Sequence, residues 1–122
     1  MLLYEELQET LQTVTQDITA IRAYWQDATI VAQFNDADGQ VNNPEFYKNP
    51  NKEAILTKHR SLKSLIELFT SIDTGYTNYK DLLEMFKDDE DELRTMKPDI
   101  IALCKKIIKC KLALLLTGPY EA

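Results

Sequence analysis

What this chain has little of narrows its chemistry first. It holds a single histidine, His59, so a metal centre built on several imidazoles is excluded. Its glycines, Gly39, Gly75 and Gly118, lie far apart and cannot build a phosphate-cradling loop. They are also too few for the many tight turns of a sandwich or barrel. The cysteines are Cys104 and Cys110. On one helix they stand about 9 Å apart along the axis and off a common face, so they cannot bridge each other. Small buried hydrophobes is the reading they take. No run of 18 apolar residues occurs, so no membrane span is expected. The start, with Glu5, Glu6 and Glu9, lacks the basic flank and apolar stretch of a secretory signal. Scarce cysteine without such a signal points to a reducing compartment, and a cytoplasmic location is expected.

What is present suits one globular unit. The 122 residues are 44% hydrophobic and 28% charged, which favours a single domain over 1–122 and argues against disorder. The net charge is −6 and unevenly spread. Residues 1–46 hold eight acids against Arg22, whereas 47–122 hold twelve acids against thirteen bases. An acidic chain does not wrap nucleic acid by charge alone. The local exception is Lys105, Lys106, Lys109 and Lys111, in a stretch with no acid between Asp99 and Glu121.

The hydrophobic pattern is helical. Tyr4, Leu7, Leu11, Val14, Ile18, Ile21, Trp25 and Ala28 alternate in spacings of three and four, a heptad seam. One helix is expected over 3–33. Residues 34–51, rich in Asn with Pro44 and Pro50, read as a loop. A second helix follows over 52–72, stopped by Asp73-Thr74-Gly75. A short third helix is expected over 76–87, and the acids at 88–92 open a last one. There Met96, Ile100, Leu103, Ile107, Cys110 and Leu114 form a second seam. Pro98 within it either kinks the helix or marks its effective first turn. Gly118-Pro119 ends it. The pattern predicts an all-α fold: an antiparallel helical bundle or hairpin of two long heptad-striped helices plus shorter ones. Pairing of the seams within the chain, giving a monomer, is favoured over pairing between chains.

Few residues are arranged for chemistry. Asp36, Asp38 and Glu45 fall on ligand positions of a calcium loop if Gly39 is its sixth residue. Phe34 at the first position cannot ligate, and Pro44 precedes the last, so a polar turn is the better reading. The acids at 88–92 read as a solvated helix start. His59 lies in Thr57-Lys58-His59-Arg60-Ser61 with no nucleophile and carboxylate marked beside it, and reads as a half-exposed helical residue. No catalytic set, metal site or cofactor is expected, and the chain is not read as an enzyme. The lysines Lys105, Lys106, Lys109 and Lys111 are the best binding candidates. They read either as solubilising charge beside a coiled-coil seam or as contacts to an anionic partner such as ribosomal RNA.

One stretch carries a resemblance. Pro44-Glu45-Phe46-Tyr47-Lys48-Asn49-Pro50, followed by Ala54 and Leu62, resembles the N-terminal domain of bacterial peptide chain release factor 2, a class I translation release factor. Arg22-Ala23-Tyr24 looks like that family's Arg-Gly-Tyr, and Asp88-Asp89-Glu90 like its acidic helix start. Leu115-Leu116-Thr117-Gly118-Pro119-Tyr120-Glu121 is similar to the stretch closing that domain. The order and spacing of these pieces, over nearly the whole chain, carry the likeness. Tyr47 replaces the usual Trp, His59 stands where Glu is common, and Pro98 interrupts a normally continuous helix.

The resemblance implies a helical domain of a factor for UGA and UAA stop codons. It implies docking to the ribosome, at the stalk base and GTPase-associated centre of the large subunit, and to the class II release-factor GTPase. Codon reading by a Ser-Pro-Phe type tripeptide and release by Gly-Gly-Gln belong to the family's later domains, and neither motif occurs here. The chain is therefore expected to be a docking fragment with no catalytic group. The alternative is a free-standing coiled-coil adaptor.

Overall fold

The computed structural model describes residues 2–117. Its helices are α1 (Leu3–Gln12), α2 (Thr15–Asp27), α3 (Ile30–Val41), α4 (Lys52–Met85) and α5 (Glu90–Thr117), with a 3₁₀ turn at Phe46–Lys48. The expected all-α class holds, and among the described residues there is no strand.

Long-range contacts fix how the helices run. Tyr4 meets Glu84, Thr15 meets Tyr76, Arg22 meets Asp73, Trp25 stacks on Phe69, and Phe34 stacks on His59. One partner rises along the chain as the other falls, so α1, α2 and α3 form one broken rod antiparallel to α4. On α5, Lys97 reaches Glu6, Cys104 lies on Thr10 and Lys111 reaches Asp17, so it runs parallel to α1 and α2. The result is a three-rod bundle at one end. A two-rod arm of α3 against the first half of α4 extends from it, tipped by residues 42–51.

The seams do the packing. Leu7, Leu11, Val14, Ile18 and Ile21 are buried against Ile72, Tyr76 and Leu83 of α4 and Leu93, Met96, Ile100, Leu103, Cys104, Ile107 and Cys110 of α5. Each fully buried aliphatic side chain contributes about 1.5–3 kcal/mol. The exposed ion pairs between rods contribute about 0–1 kcal/mol each. Apolar seams therefore hold the rods. Trp25, expected in the seam, is only half-buried and lies face to face with Phe69, ring centres 4.1 Å apart. Ile30, Ala37 and Leu62 are buried apart from this cluster and form the small core of the arm.

Three expected boundaries are corrected. The helix expected over 3–33 is broken twice and extends to Val41. At the first break, the Thr13 hydroxyl donates to the Thr10 carbonyl (2.6 Å), and the Val14 amide donates three residues back, to the Leu11 carbonyl, instead of four. The run Thr13-Val14-Thr15 is β-branched and weak in helix propensity, so the local alternative prevails. At the second, Thr29 takes φ 52°, a left-handed conformation. The loop expected from residue 34 begins only after Val41. Ala37 is buried there, and Gln40 and Asn42 donate to Asp36 and Asp38 one turn back, so packing overrides the turn-prone composition.

The stop expected at Gly75 is also absent, since α4 runs unbroken to Met85. A Cβ on Gly75 would lie 3.1 Å from Leu103 Cδ1, so this glycine serves a close helix–helix approach and not a helix end. The separate third helix is accordingly the second half of α4. In α5, Pro98 lies inside the helix. Pro98 lacks the N–H that would bond the Arg94 carbonyl, and it lies on the exposed side of the helix, as does Arg94. The expected end at Gly118-Pro119 lies outside the described residues.

Candidate functional site

The tip of the arm collects most of the distinctive motif. The Glu45 amide donates to Asn43 Oδ1 (2.9 Å), a side-chain turn that directs the chain into Pro44 and the 3₁₀ turn. The Asn51 amide donates to Asn49 Oδ1 (2.8 Å), which repeats the device around Pro50 and leads into α4. Phe46 and Asn49 are half-buried, while Pro44, Glu45 and Pro50 are exposed. Tyr47 is 67% exposed, and the Lys48 ammonium sits 5.7 Å from its ring centre. An open groove at this end is lined by Gln40, Asn43, Glu45, Phe46, Lys48 and Asn49. It offers amide donors and acceptors with one charge of each sign, which suits recognition of a surface better than a reaction.

Behind the tip, His59 Nε2 lies 2.9 Å from Asp38 Oδ1, and the His59 ring stacks on Phe34 at 4.9 Å. Asp38 also accepts from Asn42 Nδ2 (3.1 Å). His59 is half-buried, as expected, but its partnership with Asp38 was not legible, because the two are 21 residues apart. The contact joins α3 to α4. No Ser, Thr or Cys side chain among the described residues hydrogen-bonds to His59. Asp36 and Asp38 lie within α3 and Glu45 lies beyond its end, so they do not form a calcium loop. Among the described residues no three His, Cys, Asp or Glu groups come together in a way that could hold a metal ion.

The acids at 88–92 act as a helix start. Asp89 Oδ1 accepts from the Glu92 amide (3.2 Å), and Arg94 pairs with Glu90 and Asp91. Cys104 and Cys110 are free and buried, and burial pushes both thiols above their usual range. They are inert where a nucleophilic cysteine needs an accessible thiolate.

The lysine cluster on α5 is divided by the fold. Lys111 is bound to Asp17 (3.0 Å) and Lys106 donates to Ser71 Oγ (3.2 Å). Lys105 and Lys109 are exposed and form no ion pair or hydrogen bond among the described residues. The four residues thus stabilise two helix contacts and leave two charges facing outward. No helix of the described residues is long and apolar enough to cross a membrane.

No known family profile matches the chain, and no solved structure matches it significantly. Two curated relatives do. Peptide chain release factor 2 of Haemophilus ducreyi is 27% identical over 115 residues, covering 92% of this chain. Peptide chain release factor 2 of Chloroflexus aggregans is 23% identical over 119 residues, covering 95% of it. The chain spans about a third of each relative's length, 32% in both cases. The likeness read from the motifs is thus met by two proteins that carry the name release factor 2.

Proposed function

We propose that this chain is the N-terminal helical domain of a class I peptide chain release factor and takes part in translation termination at UGA and UAA codons. The alignment of release factor 2 proteins from two bacteria over more than nine-tenths of the chain carries this reading. In it, residues 1–122 work in the cytoplasm as a docking unit for the ribosome, at the stalk base of the large subunit, and for the class II release-factor GTPase. Hydrolysis of the peptidyl ester belongs to the ribosome and to the factor's later domains. No chemical step is assigned to these residues. The arm tip, with Pro44, Glu45, Phe46, Tyr47, Asn49 and Pro50, and the outward lysines Lys105 and Lys109 of α5 are the contact surfaces in this reading, while Lys106 and Lys111 beside them are engaged by Ser71 and Asp17.

The adaptor alternative loses its main support from the fold. The dimer expected for it pairs the two main heptad seams between chains, and among the described residues both are packed within the chain. A monomer is therefore the expected state.

The test is retention of the purified chain by bacterial ribosomes and by the class II GTPase. Retention that Tyr47→Ala with Phe46→Ala weakens supports the reading. No retention by either partner counts against it. Sequencing the coding DNA beyond the codon for Ala122 is a second test. The reading expects an open frame encoding a Ser-Pro-Phe type tripeptide and then Gly-Gly-Gln.

A further inference from the structure

Helix α5 carries a second apolar stripe that the fold does not use. Ile101, Ile108 and Leu112 are 37%, 44% and 53% exposed. At 100° per residue these three side chains fall within about 40° of arc and extend over about 16 Å of helix. Lys105 and Lys109 follow within about the next 60° on the side away from α1 and α2. With Lys105, the stripe repeats at spacings of four, three and four, the pattern of a seam awaiting another helix.

The charges around it are asymmetric. On the border toward α1 and α2, Lys97 is neutralised by Glu6 (2.9 Å) and Lys111 by Asp17 (3.0 Å). On the open border, Lys105 and Lys109 have no acid among the described residues. A chain of net charge −6 has thus left two lysines uncompensated beside exposed aliphatic groups. Phosphate binding would use the lysines but not Ile101, Ile108 and Leu112. The stripe also holds no aromatic ring on which a base could stack.

The geometry points to this face as a docking site for an acidic amphipathic helix of another protein. Its apolar residues would lie on Ile101, Ile108 and Leu112, and its glutamates or aspartates along one edge would meet Lys105 and Lys109. This inference rests on α5 alone and does not depend on the release-factor reading.

The probe is a capped synthetic peptide about three heptads long, with leucines at heptad spacing and glutamates along its flanks. It is titrated into the ¹⁵N-labelled full chain, beside a peptide with lysine in place of every glutamate. The glutamate peptide is expected to shift the α5 amides around residues 101–112, and the lysine peptide is expected not to bind. Ile108→Ser with Leu112→Ser, and separately Lys105→Glu with Lys109→Glu, should each weaken binding by roughly tenfold or more. Both pairs are exposed, so the helical signal should stay unchanged. The charge-reversed chain should gain affinity for the lysine peptide. Equal binding of both peptides, binding of neither, or shifts centred elsewhere overturns the proposal. So does self-association of the chain through these residues. Capture of the face by an RNA hairpin, unaffected by Ile108→Ser with Leu112→Ser, would assign it to nucleic acid and also overturn it.

Discussion

Thr29 holds the turn between α2 and α3 at φ 52°, where a β-branched residue is least at ease. The left-handed conformation costs about 1–2 kcal/mol for a side chain bearing Cβ. Glycine removes that cost and returns about 0.5–1 kcal/mol of it through greater freedom in the unfolded chain. Thr29→Gly is therefore expected to stabilise the protein by about 0.5–1 kcal/mol. Urea titration at constant slope reads this out, and a lower midpoint would contradict the turn geometry. The two cysteines give a prediction of the opposite kind. Burial raises both thiol pKa values, so the folded chain favours the neutral form. Their contribution to stability is complete below the unfolded thiol pKa and is lost as pH rises through the higher folded values. Stability should decline as pH rises from the ordinary thiol pKa through the higher folded values, and Cys104→Ala with Cys110→Ala should flatten that decline. It should not abolish it, because a hydrogen bond to Glu84 raises the Tyr4 pKa, and burial raises that of Tyr79. An unchanged slope in the double variant would mean the thiols are solvated in the native state.

At the scale of elements, the seams were legible and the interruptions were not. Leu7, Leu11, Val14, Ile18 and Ile21 keep their spacing across the break at Thr13-Val14, so the periodic signal passes over it. Gly75 shows why local signals mislead. Asp-Thr-Gly after a helical stripe reads as a stop, yet the reason for glycine lies on α5, at Leu103. No local signal names a residue 28 positions away. The same applies to the arm, where Phe34 and Asp38 become helical partly through what they meet on His59. Of the candidate surfaces, the turn chemistry at Asn43-Pro44 and Asn49-Pro50 was readable, as was the presence of lysines on α5. Which lysines the fold neutralises depends on α1, α2 and α4, and was not. Gly75 also yields a graded test of the α4–α5 approach. Alanine gains about 1 kcal/mol of helix propensity against a Leu103 shift of a few tenths of an ångström, so Gly75→Ala should be close to neutral. Leucine cannot fit against Leu103 without moving the helices, and Gly75→Leu should cost about 1–3 kcal/mol in denaturant. Equal stability of the two variants would show that α5 does not press on this site.

The whole molecule is two structures of unequal strength on one long helix. α4 has 34 residues and extends about 51 Å. Its second half shares a continuous buried cluster with α1, α2 and α5, whereas the fully buried side chain of its first half, Leu62, lies outside that cluster, in the arm with Ile30 and Ala37 of α3. The arm's buried apolar side chains are Ile30, Ala37 and Leu62, supplemented by the Phe34–His59 stack and the Asp38–His59 contact. Local opening follows the density of buried apolar contact, so the arm should open without the bundle. Amide hydrogen exchange should then fall into two tiers. Amides in α5, α1 and the second half of α4 should be protected close to the global unfolding free energy. Those of α3 and the first turns of α4 should exchange earlier. His59→Ala removes both the ring stack and the contact to Asp38, so it should speed exchange in α3 by roughly fivefold or more. Amides of α5 should stay at their original rate, because no bundle contact passes through His59. Uniform acceleration across both tiers would make the chain one cooperative block, and the arm could not move independently of the bundle. Confinement to α3 would leave the tip residues Phe46 and Tyr47 on a segment able to adjust to a partner while the three-rod end stays folded.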